Sequence, residues 1–342
     1  MWSVERRENQ LDDDSVLDKA KSGQATPQQL FDYYLGSLTN PSISPKLQAV
    51  ADSSVPFARD WGMNVIVEDL KRVITAARTL GGKVVLGGHS LGGAVVDVYA
   101  TWDFNGMAGA KDLSGLVFID GGSNPMPVSP QQATASLQSL AAGTPWLAFG
   151  GIPAPLLGLN SATGSTLAIM DPKGASLLQT WSARPSYLKT PVRVTNEAGF
   201  GYAVDTKTSP RSPAAAQVHA GQLAASGDPR GWDRAGAITP VQCWANILSG
   251  SGVRRADGSE WYFPMRLTID SGAVADGNAN AAQQVLDVQG HLRRRGRHPD
   301  LGVRRRTRWS RSSRLGDDAG EPVSPTKPRT HPDQSGEHLH PQ

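Results

Sequence analysis

The chain is nearly without cysteine. Its 342 residues hold one, Cys243, which excludes an internal disulfide and a cysteine-rich metal site. Beside Trp244 that residue reads as a small apolar one. Long apolar runs are also missing. None reaches the roughly 18 residues of a membrane span, and the stretch from Trp146 to Leu159 is broken by Pro153 and Pro155. No apolar segment follows Met1 and Trp2, so no signal peptide is expected and the chain as given reads as cytoplasmic. There is no internal repeat, no phosphate-binding glycine loop, no dinucleotide fingerprint, no HExxH and no EF-hand loop. No cofactor and no metal is therefore expected.

Charge is unevenly spread. The net charge is +3, but residues 289–342 carry 12 Lys or Arg against 6 Asp or Glu, which leaves residues 1–288 at −3. The same terminal stretch holds five of the seven histidines, His291, His298, His331, His338 and His340, with clusters such as Arg293 to Arg295 and almost no apolar periodicity. Such a composition cannot build a packed layer, so a disordered basic tail is expected. Its onset at about Asp287, straight after an Ala-rich helix start at Asn278 to Leu286, is what a shifted reading frame produces; a genuine basic tail is the other reading. Apart from Trp309 the basic runs lack interleaved aromatics, and no nucleic-acid partner is expected.

What is present is concentrated in one place. Lys83 to Gly93 reads Lys-Val-Val-Leu-Gly-Gly-His-Ser-Leu-Gly-Gly, a β-branched run that breaks into G-x-S-x-G and continues as Ala-Val-Val-Asp-Val-Tyr-Ala. This is the sequence form of a nucleophile elbow, a strand-to-helix turn that lifts Ser90 into solvent. Gly88 and Gly92 are expected where a side chain would meet the elbow backbone. His89, one residue before, should point away from Ser90. Before the elbow, Asn64 to Gly82 places Leu70, Val73, Ile74, Ala77 and Leu80 at helical spacing with glycine at the stop. After it, a helix through about Asp103 leads to the apolar run Leu113 to Ile119, a second parallel strand, closed by Asp120-Gly121-Gly122.

Around residues 64 to 122 the chain resembles the α/β-hydrolase family of esterases and lipases. The resemblance implies an α/β fold with a mainly parallel sheet. Met1 to Asp13 is similar to the family's fourth strand and the loop after it, so the third strand, which pairs beside the nucleophile strand, would be absent and leave an open edge. On this reading the chain divides into a partial core at 1–122, a cap of helices and loops at 123–265, a return to the core or end of the cap at 266–288, and the tail at 289–342. Within the cap, Pro145 to Leu159 either covers an apolar pocket or packs the cap on the core. Pro213 to Ser226 reads as a helix, with His219 a surface or packing residue.

A serine hydrolase needs a base, an acid that orients it, and oxyanion donors. The N–H of Leu91, opening the helix, supplies one donor. Asp120 is the leading acid, at the carboxyl end of a strand where α/β sites collect. Its rival is Asp270, at the end of Met265 to Ile269, read as a later strand; Asp97 reads as a solvated helix residue. The resemblance places the base on a loop after the last strand, but nothing after Val288 looks like a strand that would hold a tail histidine near Ser90. The expected function is hydrolysis of carboxylic esters with apolar groups, weak or absent in this form. The alternatives are a non-catalytic protein of the same fold and, behind it, a binder acting through the basic tail.

Overall fold

The computed structural model describes residues 1–122, 128–149, 151–184, 189–205, 208, 219–251, 258–274 and 280–288. By its contacts the chain divides into Met1–Arg293 and Arg294–Gln342. The second unit, and with it the tail and its five histidines, lies outside the described residues.

The chain is mixed α and β, with helices in the majority. Two short helices open it: α1 (Ser15–Lys21) and α2 (Pro27–Tyr34). Pro27 sits in the first turn of α2, and Thr26 and Gln29 form a reciprocal capping box. The first 13 residues form no strand. Arg7–Leu11 is a turn of 3-10 helix, and the Arg7 guanidinium holds Asp69 through two hydrogen bonds of 2.8 and 2.7 Å. The expected fourth strand is thus replaced by a polar strap tied to α3 (Met63–Thr79).

That helix appears where the apolar spacing puts it. It buries Met63, Ile66, Val67 and Ile74, however, and leaves Leu80 exposed past its end. β1 (Val85–His89) and α4 (Leu91–Thr101) follow. Beyond α4, β2 (Asp103–Phe104) and β3 (Met107–Ala108) form a hairpin whose turn residues, Asn105 and Gly106, both have positive φ, as the Asn-Gly pair allows. β4 (Gly115–Ile119) then pairs with β1 in parallel, from Val85 opposite Gly115 to His89 opposite Ile119.

Among the described residues this is a two-stranded sheet, so each strand keeps an open edge. Its register puts Val85, Gly87 and His89 on one face with Gly115, Val117 and Ile119. That face is bare: Val85 is 57% exposed, Val117 44% and Ile119 55%. A parallel pair is normally buried on both sides. Here the other side is covered only in part: Leu86, with Leu91 of α4, packs into a cluster built from α3, from Val95, Val98 and Tyr99 of α4, and from Trp102, while Phe118 stays 38% exposed. α5 (Pro130–Ala142), α9 (Met265–Ala273) and α10 (Ala281–Leu286) complete that cluster through Ala133, Leu267, Ala282 and Leu286. The helix at α10 is where the Ala-rich run predicts it.

The rest of the unit is organised around α6 (Leu156–Met170), which is buried from Gly158 to Ala168 on all but Ser161 and so has helices on every side. Leu159, Ala162 and Leu167 share a cluster with Leu17 of α1 and Leu30 and Tyr34 of α2. Ala168 belongs to another, with Ala198, Phe200 and Val204 of α7 (Asn196–Val204), Trp232 of β6 (Arg230–Asp233), and Val241 and Ala245 of α8 (Val241–Leu248). Trp146 packs against Tyr262, and Leu147 N–H donates to Phe263 C=O at 2.8 Å, so Pro145 to Leu147 serves packing.

Two further expectations about elements are corrected. Residues 222–226, read as helix, belong to β5 (Gln222–Gly227), antiparallel to β6; positions 213–218 lie outside the described residues. Alanine propensity yields there to cross-strand packing of Leu223 on Trp232, whose indole N–H donates to Ala220 C=O at 3.0 Å. Met265 to Ile269 is helix α9, not a strand. Pro264 precedes its first turn, and Arg266 reaches Asp270 one turn on, at 2.7 Å.

Candidate active site

Ser90 lies between β1 and α4 with φ 52° and ψ −121°. A side chain in that region is strained by about 1–3 kcal/mol, and a serine holds it only where the surroundings enforce it. Here the backbone does so. Ser90 N–H donates to Ile119 C=O at 3.2 Å, and Gly93 N–H closes back on Ser90 C=O at 3.0 Å. A Cβ on Gly121 would lie 2.1 Å from Ser90 C=O, and one on Gly88 2.1 Å from Gly92 C=O. The crowding expected at Gly92 is absent, because an added Cβ there meets nothing within 4 Å. Gly93 takes that role, with Gly121 C 2.6 Å from its added Cβ. The turn thus depends on Gly88, Gly93 and Gly121, two of them outside the motif and Gly121 on the neighbouring strand's loop.

The parallel register brings Ser90 and Asp120 to the same end of the sheet, since each follows one member of the His89–Ile119 pair. Asp120 also has positive φ, 46°, and both residues are exposed. Leu91 opens α4, so its N–H has no intrahelical acceptor and lies beside the nucleophile. His89 is on β1 and exposed; Asp97 is half-buried on α4.

Asp270 is placed quite differently. It is fully buried, accepts Met63 N–H at 2.8 Å and Arg266 Nε–H at 2.7 Å, and so caps α3 from a neighbouring helix. Burial pushes its carboxyl above the ordinary range, an effect partly offset by Arg266. Gly62 leaves room for it, since a Cβ there would meet the carboxylate at 2.1 Å. Cys243, read as a packing residue, is exposed on α8.

One constellation escaped the sequence. His219 Nδ1 lies 3.1 Å from Oδ1 of Asp205, which is itself fully buried. Asp205 also accepts Ala220 N–H at 2.9 Å and Thr208 through its N–H at 2.9 Å and hydroxyl at 3.0 Å. Burial raises its carboxyl, but these donors outweigh that and hold it below the ordinary value. The two residues are 14 apart in the chain and no motif links them. His219 is therefore oriented by Asp205, whose neighbours belong to the α7 and α8 cluster. Among the described residues no hydrogen bond joins a histidine to Asp120, no three His, Cys, Asp or Glu side chains gather as metal ligands, and no helix is long and apolar enough to cross a membrane.

Compared with known proteins, the chain matches no family model, no curated protein and no solved structure.

Proposed function

We propose that the chain is a serine-dependent hydrolase of the α/β-hydrolase type, acting on carboxylic esters with an apolar acyl or alcohol part. The observation that carries this reading is the backbone of Ser90, at φ 52° between a parallel strand and a helix. A glycine would adopt that turn without strain; a serine held there presents its hydroxyl at the carboxyl end of the sheet. Ser90 Oγ attacks the ester carbonyl carbon and its proton passes to a histidine base, with Asp120 the acid assigned to that base although no described histidine is bonded to it. Leu91 N–H donates to the oxyanion that forms, and the base returns the proton to the departing alcohol; the base then activates a water that attacks the acyl-serine, releasing the carboxylic acid and giving the proton back to Ser90 Oγ. Substrate is a small apolar ester; no cofactor enters.

Turnover is expected to be slow. Among the described residues no histidine is bonded to Asp120, and a base without fixed orientation costs about 100-fold or more. The bare face of the β1–β4 pair favours a second reading, in which the elbow survives in a chain that no longer catalyses. Mass spectrometry after treatment with a fluorophosphonate, run beside hydrolysis of short p-nitrophenyl esters, separates the two. The first reading expects an adduct on Ser90 and a low rate, both lost in Ser90→Ala. A rate that survives Ser90→Ala removes it, and no adduct with no turnover leaves the second.

A further inference from the structure

Arg184 is 3% exposed, and Nε, Nη1 and Nη2 of its guanidinium all lack a hydrogen-bond acceptor among the described residues. It ends a turn in which Arg184 N–H donates to Trp181 C=O at 3.1 Å. The Trp181 side chain is 4% exposed, and its indole N–H is also unpartnered. Arginine and tryptophan side chains donate and never accept, so these groups cannot satisfy one another. Among the described residues the one titratable neighbour acting on the Arg184 guanidinium is Tyr202 of α7, a phenol that carries no charge at neutral pH. Burial draws that guanidinium down to about 10, so it stays charged at neutral pH.

The chain offers it no counter-charge nearby in sequence. Between Asp171 and Asp228 there are six Lys or Arg and two acids, Glu197 and Asp205. Both acids are engaged elsewhere: Glu197 with Arg234 at 3.0 Å and with Gln242, Asp205 with His219, Thr208 and Ala220. A buried charge without a partner is among the costliest features a fold carries, and donors alone call for an acceptor from outside.

We propose that Arg184, with the Trp181 indole N–H, forms a binding site for a small oxyanion, the carboxylate or phosphate group of a ligand, held through the planar fork of the guanidinium. The geometry suits the class. The guanidinium fork matches two oxygens of a carboxylate or phosphate, and charge-assisted bonds of this kind are the strong ones. The site stands apart from Ser90 and holds whether or not Ser90 attacks an ester.

The test titrates the full chain with sodium acetate, sodium benzoate and inorganic phosphate against sodium chloride at constant ionic strength, by calorimetry and by thermal melting. Saturable binding with a raised Tm is expected for at least one oxyanion, and which salt acts tells carboxylate from phosphate. Arg184→Met, which keeps bulk and removes charge, should weaken binding about 10- to 100-fold. Without added anion it should melt no lower than the parent, because a charge with no partner has been removed. Trp181→Phe should weaken binding less. Equal effects of all four salts, or an undiminished response in Arg184→Met, overturn the proposal. So does an Arg184→Met chain that melts lower or fails to fold without anion, since that marks an internal partner.

Discussion

The elbow, from Val85 to Gly122, and the region from Leu156 to Leu248 solve the placing of polar groups in opposite ways. In the elbow the backbone does the work: a strained serine, three crowded glycines and a parallel register fix Ser90 and Asp120, whose side chains stand in solvent. Around α6 to α8 the side chains do it. Asp205 is buried and surrounded by donors, and Arg184 is buried beside none of the acceptors it needs. An exposed site held by backbone tolerates changes of charge and resists changes of shape. A buried site held by side chains should do the reverse.

The largest effect expected is on chemistry. Ser90→Ala should bring ester hydrolysis to background while leaving the melting temperature within a few degrees, since no hydrogen bond of the Ser90 side chain holds the turn. Loss of stability comparable to a core substitution would show that the hydroxyl is structural instead.

Next comes Gly121→Ala, one methyl group set against Ser90 backbone on the neighbouring segment. Because neither side is a flexible side chain, it should cost about 2–4 kcal/mol in denaturant unfolding. A cost under about 0.5 kcal/mol would mean that the elbow is looser than its geometry, and the contrast between the regions would fail.

Asp205→Asn probes the other region, and should cost about 3 kcal/mol at neutral pH because a buried acceptor of several donors is replaced by a group that donates. Its pH dependence has a definite sign. The carboxyl is held below its unfolded value, so its contribution is complete above about pH 4 and is lost as pH falls through the folded-state value beneath that. Urea unfolding of parent and variant should converge on acidification; a gap that stays constant to low pH contradicts the assignment.

The smallest effect is reserved for Cys243→Ser. The thiol is exposed on α8, so the substitution should change stability by no more than about 0.5 kcal/mol, and a thiol reagent should reach Cys243 in the folded protein. Protection from the reagent until unfolding would restore the packing role that its position beside Trp244 suggests.

These contrasts explain what was legible beforehand. A backbone that must turn left-handed and pass close to another backbone writes itself as glycine, so β1, α4 and β4 could be read, as could the amphipathic α3. Even there the motif is right for Gly88 but points to Gly92 where the crowded residue is Gly93. Asp270 rivals Asp120 as the acid only because Met265 to Ile269 has the composition of a strand; the Pro264 start and the Arg266–Asp270 spacing are the helical signals. Nothing local distinguishes Asp205, His219 or Arg184. Their significance comes from burial, which arises only when α6, α7 and the β5–β6 hairpin come together.

The bare face of the β1–β4 pair has a colloidal consequence. Val85, Val117 and Ile119 offer apolar side chains to water from a strand pair whose edges are open among the described residues, the arrangement that invites strand addition from another molecule. Lys83, exposed just ahead of β1, is the kind of charged flank that discourages such growth. Raising the concentration is therefore expected to favour such pairing, and dilute preparations are those in which the elbow's chemistry is best sought.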